Sequence, residues 1–170
     1  MLYKWRRSHR VSVMMSGDPP TDLATHCQWL DGCYRHQHYY HWVIEINGFP
    51  AGLINICDYD PVNRLTFWGY YIGDDKYLGY GALIPPYLYN FLFTEMAIDK
   101  IEAEVFERNA MVIGMHKYHG YQEVPFFDKD LNNGHLKYMF LDKDDWLAQK
   151  QYARFRAEFP MTRWLYAPAR

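Results

Sequence analysis

Between Thr66 and Tyr121 the chain carries residues whose types and spacing suit the capture of an anion. A run rich in β-branched and aromatic residues, Thr66 to Ile72, is followed by the polar turn Gly73-Asp74-Asp75. Next come Lys76-Tyr77-Leu78-Gly79-Tyr80-Gly81-Ala82 and a long apolar run, Leu83 to Ile98. Strand, glycine loop and helix in that order aim backbone N–H groups at one point. The first amides of a helix lack partners inside it, and the helix dipole adds partial positive charge there. Gly79 and Gly81 remove the side chains that would hold a diphosphate away from the backbone of Leu78 to Ala82. A ligand-free strand-to-helix turn uses the same residues, so the loop by itself leaves both readings open.

Several elements have to position that loop. Residues 1–41 read as helix and loop, with a basic segment from Leu2 to Met15 and a break at Gly17-Asp18-Pro19-Pro20. Thr21 or Asp22 caps a helix carrying Leu23, Cys27 and Leu30, and Gly32 ends it. Trp42 to Ile46, the Asn47-Gly48 turn and Ala51 to Cys57 read as a hairpin, and Thr66 to Ile72 extends it into an antiparallel meander. The crossover helix Leu83–Ile98 leads to a parallel strand, Ile101 to Phe106, with Pro85 and Pro86 tolerated in its opening turn. Glu107-Arg108-Asn109, a helical segment Ala110 to Tyr118 and Gly120-Tyr121 follow. Tyr121 to Phe127 and His135 to Asp142 read as antiparallel strands about an Asn132-Asn133-Gly134 turn. From Asp145 the tail reads as helix to about Phe159, stopped by Pro160, with Trp164 beyond it. It can cap the sheet, join a homodimer or border a cleft.

Composition narrows the class. A chain of 170 residues with 49% apolar and 22% charged residues is a globular α/β domain with a core of its own. A net charge of −2 gives no electrostatic case for nucleic acid. The aromatic share of 19% suits a cleft that stacks rings, though aromatics are also core material. Cys27, Cys33 and Cys57 show neither metal spacing nor an even disulfide set, so reduced thiols in a cytoplasm are expected. The run Arg35-His36-Gln37-His38-Tyr39-Tyr40-His41 has no carboxylate or cysteine at ligand spacing, and no metal site is expected. No apolar run is long enough to span a bilayer.

The glycine loop, the second strand, Asn109 and the helix closing on Gly120-Tyr121 together resemble the GNAT superfamily of acyl-CoA-dependent N-acyltransferases. The family loop is Arg/Gln-x-x-Gly-x-Gly/Ala; Lys76 stands here in its first place. The resemblance implies a GNAT fold: a mixed, mostly antiparallel sheet with a splayed central parallel strand pair and flanking helices. It implies residues 1–145 as the acyltransferase domain and 146–170 as a C-terminal helical extension. Within the superfamily, Trp5-Arg6-Arg7-Ser8-His9, Met15 and Thr25-His26-Cys27 are similar to motifs of the UDP-4-amino-sugar N-acetyltransferases of pseudaminic acid biosynthesis. The Asn, His and Pro of the first motif are not kept. That family has a strand before its first helix, so either the start is truncated or the sheet lacks that edge strand.

The resemblance further implies acetyl-CoA as co-substrate, a nucleotide-linked amino sugar as acceptor and transfer to its 4-amino group. Proximity supplies much of the rate in such a transfer. Tyr71, Ile72 and Gly73 would pair with the pantetheine arm, Leu78, Gly79, Tyr80, Gly81 and Ala82 would hold the diphosphate, and Asn109 would bond the pantetheine amide or cap its helix. A strand N–H would polarise the thioester carbonyl. His116, seven residues after Asn109, stands where many members place a tyrosine acid, with Tyr118 and Tyr121 as alternates. Glu104 or Glu107 would serve as base if a side chain does. Arg6 and His26 would bind the UDP diphosphate, with Met15 against uracil or sugar. The competing readings are acetylation of a protein N-terminus or polyamine, and a non-catalytic acyl-CoA-binding module. The basic Arg6, Arg7 and Arg10 argue against the open acidic groove a peptide would favour.

Overall fold

In the computed structural model, residues 1–125, 129–131 and 134–161 are described. The first half of the sheet is the meander expected from its β-branched and aromatic runs: β1 (Tyr40–Ile46), β2 (Phe49–Asp60) and β3 (Leu65–Ile72). Asn47 and Gly48 take the positive φ values, 53° and 78°, that a two-residue hairpin requires. β4 (Lys100–Phe106) then joins β3 in parallel, and β7 (Gly134–Asp142) runs antiparallel to β4. Two short strands, β5 (Gln122–Glu123) and β6 (Lys129–Leu131), pair with β7, giving a seven-stranded sheet of order β1-β2-β3-β4-β7-β5.

The parallel pair meets over only three residue pairs, Leu65 with Lys100, Thr66 with Ile101 and Phe67 with Glu102. Beyond them β3 stays with β2 as far as Ile72, while β4 stays with β7 as far as Phe106. The two strands therefore diverge toward their C-terminal ends. The closed end is pinned by Arg64. Its carbonyl accepts from the N–H of Asp99 at 2.7 Å and of Lys100 at 3.2 Å, and its guanidinium pairs with Asp99 at 2.9 Å.

Helices cover both faces. Successive strand residues face opposite sides. α4 (Pro85–Thr94) and α5 (Ala110–Tyr118) pack on the face that carries Trp68, whose ring meets Tyr89 and His116 edge-on. Leu88, Tyr89, Leu92 and Phe93 of α4 are fully buried against Ile56, Ile101, Met139 and Leu141. On the other face lie α1 (Leu2–Arg7), α2 (His9–Ser12) and α3 (Leu23–Arg35), with Arg6 beside Tyr71 and Trp29 edge-on to His41.

Several expected boundaries move. The run Leu83–Ile98 is not one helix: Asp75–Leu83 forms 3-10 turns, and the α-helix occupies Pro85–Thr94 with the prolines at its first two positions. α3 is capped by Asp22, whose Oδ1 accepts from Thr25 N–H at 2.8 Å. It continues past Gly32 to Arg35, since a glycine ends a helix only where it turns left-handed, and Gly32 does not. The strand read as Tyr121–Phe127 is reduced to Gln122–Glu123, while residues 126–128 and the Asn132-Asn133 turn lie outside the described residues.

The tail is not a helix to Phe159. α6 (Lys143–Leu147) is followed by a 3-10 turn, Lys150–Tyr152, and by irregular chain. Asn90 explains the change: its buried Nδ2 donates to the carbonyls of Tyr152 at 2.9 Å and Phe155 at 2.6 Å, which a continuing helix would need for itself. Trp146 and Tyr152 belong to the main core, and Phe155 and Phe159 pack against it. Trp164, with residues 162–170, lies outside the described residues.

Candidate active site

The wedge between β3 and β4 is the natural place for an extended ligand, because a strand without a neighbour leaves its peptide groups open. Gly73 N–H donates across to Ala51 O of β2 at 2.7 Å. Peptide groups alternate in direction along a strand, so those of Trp68, Tyr70 and Ile72 point the other way, into the wedge. Of the three residues expected to line it, Ile72 does so through its backbone, while Tyr71 and Gly73 turn theirs toward β2. Sequence reasoning missed the side chain of Tyr70. Its hydroxyl donates to Gly81 O at 3.2 Å and lies 3.6 Å from Met115 Sδ, joining β3, the glycine loop and α5. Burial pushes this phenol up to about 12, so it keeps its proton at neutral pH. The stacked pair Trp68 and Tyr70, on one strand face, was the available signal.

Beyond the mouth, Asp74 caps the 3-10 segment by accepting from Lys76 N–H at 3.1 Å. Leu78, Gly79, Tyr80 and Ala82 are exposed there, and Gly81 is half-buried. Pro85 and Pro86 have no N–H, and Tyr87 N–H bonds Ile84 O at 3.1 Å. The start of α4 therefore supplies its dipole but few open donors, and backbone capture of an anion falls to residues 76–84. Asn109 precedes α5 without a side-chain cap bond, which removes capping as the reason for an asparagine there.

His116 is buried in the wedge floor, stacked on Tyr121 at 4.4 Å, with no hydrogen-bond partner for Nδ1. Burial, reinforced by His119, lowers it to about 3, so its imidazole is neutral at physiological pH. His119 is likewise buried and lowered to about 4. Tyr121 Oη accepts from Trp68 Nε1 at 2.8 Å and serves the core, while Tyr118 is exposed. The two histidines imply an acid-sensitive fold. Their folded pKa values lie below the unfolded value of about 6.5, so below that pH the unfolded chain binds protons that the folded chain refuses. Stability should be flat above about pH 6.5 and fall as pH drops toward 4, by up to about 1.4 kcal/mol per pH unit for each ring. Thermal melts between pH 7.5 and 4.5 measure this, and His116→Gln should flatten the slope; an unchanged slope would contradict the burial argument.

On the opposite face, Arg6 Nη2 donates to the carbonyls of Gly17 and, at 3.3 Å, Asp18, while its Nη1 is buried without a partner. His26 is 4% exposed, stacks on Trp29 at 5.6 Å, and its Nε2 also lacks a partner. Burial and then the Arg6 charge lower its pKa. Met15 lies half-buried before the Gly17 turn. Glu104 is held by Lys129 Nζ at 2.7 and 2.8 Å, and Glu107 lies 3.7 Å from Lys137. A base already paired with a lysine has a lowered proton affinity, which counts against Glu104 in that role. A cavity of about 970 Å³ lies apart from the wedge, between β1, residues 80–87 and the 157–161 segment.

An opened parallel pair with a glycine loop at its mouth and helices on both faces is the architecture of an acyl-CoA acyltransferase. The chain belongs to the acetyltransferase (GNAT) domain family, which matches residues 1–122. It is an N-acetyltransferase, and acetyl-CoA is its co-substrate. Among solved structures it is similar to the spermidine N-acetyltransferase of Vibrio cholerae in complex with CoA and spermine, at 12% identity over 85% of this chain and 89% of that one, TM-score 0.76. It is also similar to an uncharacterized protein of Bacillus halodurans, at 22% identity over 91% and 83%, TM-score 0.75. A third is the aminoglycoside acetyltransferase AAC(6')-Ib with coenzyme A, at 17% identity over 88% and 92%, TM-score 0.72. At such identities the likeness is one of fold. No curated protein matches the chain. Among the described residues no helix is long and apolar enough to cross a membrane, and no cluster of His, Cys, Asp or Glu is placed to hold a metal.

Proposed function

We propose that this N-acetyltransferase acts on an anionic, nucleotide-linked amino sugar, with the UDP-4-amino sugar on the route to pseudaminic acid as the specific acceptor. The observation that carries this reading is the pair of buried, unpartnered nitrogens, Arg6 Nη1 and His26 Nε2, on the face opposite α4 and α5. Buried donors left open are costly unless a ligand completes them. A guanidinium beside an imidazole suits a diphosphate, and the rings of Tyr3 and Trp29 flanking His26 suit a base or sugar. A polycationic acceptor would need free carboxylates there, and Glu104 is taken by Lys129.

In this reading the diphosphate of acetyl-CoA lies on the backbone of Leu78 to Ala82, and the pantetheine arm bonds the wedge-facing peptides of Tyr70 and Ile72 and the side chain of Asn109. The acceptor amine attacks the thioester carbon directly. The resulting oxyanion is stabilised by a strand N–H. The departing thiolate takes its proton from a group still protonated at pH 7. Neutral His116 has only a weakly acidic ring N–H to give, whereas the Tyr70 hydroxyl is intact and near α5, so Tyr70 is the better donor.

Thiol release from acetyl-CoA tests the whole reading, with a UDP-4-amino sugar, spermidine, an aminoglycoside and a peptide as acceptors. Turnover with the nucleotide sugar at least tenfold above the others is expected, and a preference for spermidine would overturn the acceptor assignment. In the same assay Tyr70→Phe should lose most of kcat and His116→Phe much less; the reverse order would return the acid role to the histidine.

A further inference from the structure

The side chain of Arg10 reaches from α2 across the end of β3. Its Nη1 donates to Ile72 O at 2.8 Å, its Nη2 to Gly73 O at 3.3 Å, and Nη2 and Nε to Asp75 Oδ1 at 2.7 and 3.1 Å. Those three residues are the last wedge-facing peptide of β3, the turn that follows, and the first residue of the 3-10 segment. Asp75 has no other role in sight: its side chain is 83% exposed and the segment is already capped by Asp74.

A second contact fastens the same junction. The ring of Trp5 lies flat against Gly73, so that a Cβ on Gly73 would stand 2.0 Å from Trp5 Cδ2. The helices on the acceptor side therefore hold the strand-to-loop junction at two points, one apolar and one ionic.

We infer that Arg10 is a positioning residue for acetyl-CoA: with Asp75 as its partner, it fixes where the 3-10 segment leaves the mouth of the wedge, and so the alignment of the diphosphate-binding backbone with the pantetheine-binding strand. This rests on the reading of residues 78–82 as the diphosphate site. An exposed Arg–Asp pair contributes little to stability, typically about 0–1 kcal/mol. Its effect falls instead on geometry, because a bidentate carboxylate contact and two carbonyl contacts leave the guanidinium one orientation. Lysine, a point charge, would keep the sign and lose the fork.

Coenzyme A binding by calorimetry tests this without knowledge of the acceptor. Arg10→Ala and Asp75→Asn should each weaken CoA about tenfold, with the double variant no weaker than either single one, since one contact is removed in all three. Arg10→Lys should recover only part of the loss. Steady-state rates should show a raised KM for acetyl-CoA, with kcat and the acceptor KM within about twofold of the parent. Asp75→Asn also separates positioning from direct phosphate contact. If the guanidinium bound the phosphate itself, removing its carboxylate would tighten CoA binding, and that result would overturn the inference. So would an Arg10→Ala protein that binds CoA as the parent does, or losses that add in the double variant. Failure of the parent protein to bind CoA would instead remove the underlying reading of the loop.

Discussion

Gly81→Ala should fold as the parent does and lose about 10- to 100-fold in kcat/KM for acetyl-CoA, equivalent to about 1.4–2.7 kcal/mol. The folded chain has room for the methyl group. A Cβ at Gly81 would meet only Ile72 Cγ1 and Tyr70 Oη, both at 3.9 Å, which is ordinary contact, and at Gly79 it would meet nothing within 4 Å. Neither glycine is held at positive φ, so alanine suffers no backbone strain. Alanine also reduces the freedom of the unfolded chain, worth about 0.4–1 kcal/mol in favour of the fold. The need for glycine must therefore come from outside the chain, from a group that approaches the backbone closely. Melting temperature and acetyl-CoA KM, measured together on Gly79→Ala and Gly81→Ala, decide it. Unchanged values of both would remove the backbone cradle.

Asn90→Leu should cost about 3 kcal/mol, a drop in Tm of roughly 5–12 °C for a chain of this size. Asn90 is 8% exposed and meets three partners. Its Nδ2 donates to Tyr152 O and Phe155 O, and its Oδ1 accepts from Trp146 Nε1 at 2.8 Å. Leucine fills the same volume and leaves one donor and two acceptors without partners in a largely dry core. Asn90→Asp retains the acceptor for Trp146 and forfeits both donors, so it should also destabilise. Calorimetric melts of both variants give the answer; a Tm within 2 °C of the parent for the leucine variant would show that the tail is held by ring packing alone.

The parts of this molecule legible in the sequence were those set by local periodicity and turn chemistry. Alternation across Trp42 to Ile46 and the Asn47-Gly48 pair specify the first hairpin, and Asp22 marks the start of α3. The glycine spacing after a strand pointed to an acyl-CoA acyltransferase, which the family match bears out. What stayed hidden depends on partners distant in sequence. The apolar run from Leu83 gives no sign of stopping at Thr94, because Ala97 turns left-handed there while Arg64 Nε donates to its carbonyl at 2.7 Å. The tail reads as helix because nothing near it shows that Asn90 will claim its carbonyls. His116 reads as a titrating group at its unperturbed pKa, and only the packing of Trp68 and Tyr121 around it removes its charge. The opening between β3 and β4 leaves no mark on composition at all, since it is a property of where two ladders stop.

The two prolines that open α4 have a thermodynamic consequence. They transfer the duty of meeting an anion from a helix end, whose amides stand open in any case, to a stretch of 3-10 turns in which each N–H tends to be occupied by the carbonyl three residues back. A ligand that takes those amides must first part them from their neighbours. Its measured affinity is then the difference between two sets of bonds rather than the sum of one, and anything that loosens the resting turns without harming the bound ones will make the protein bind more tightly.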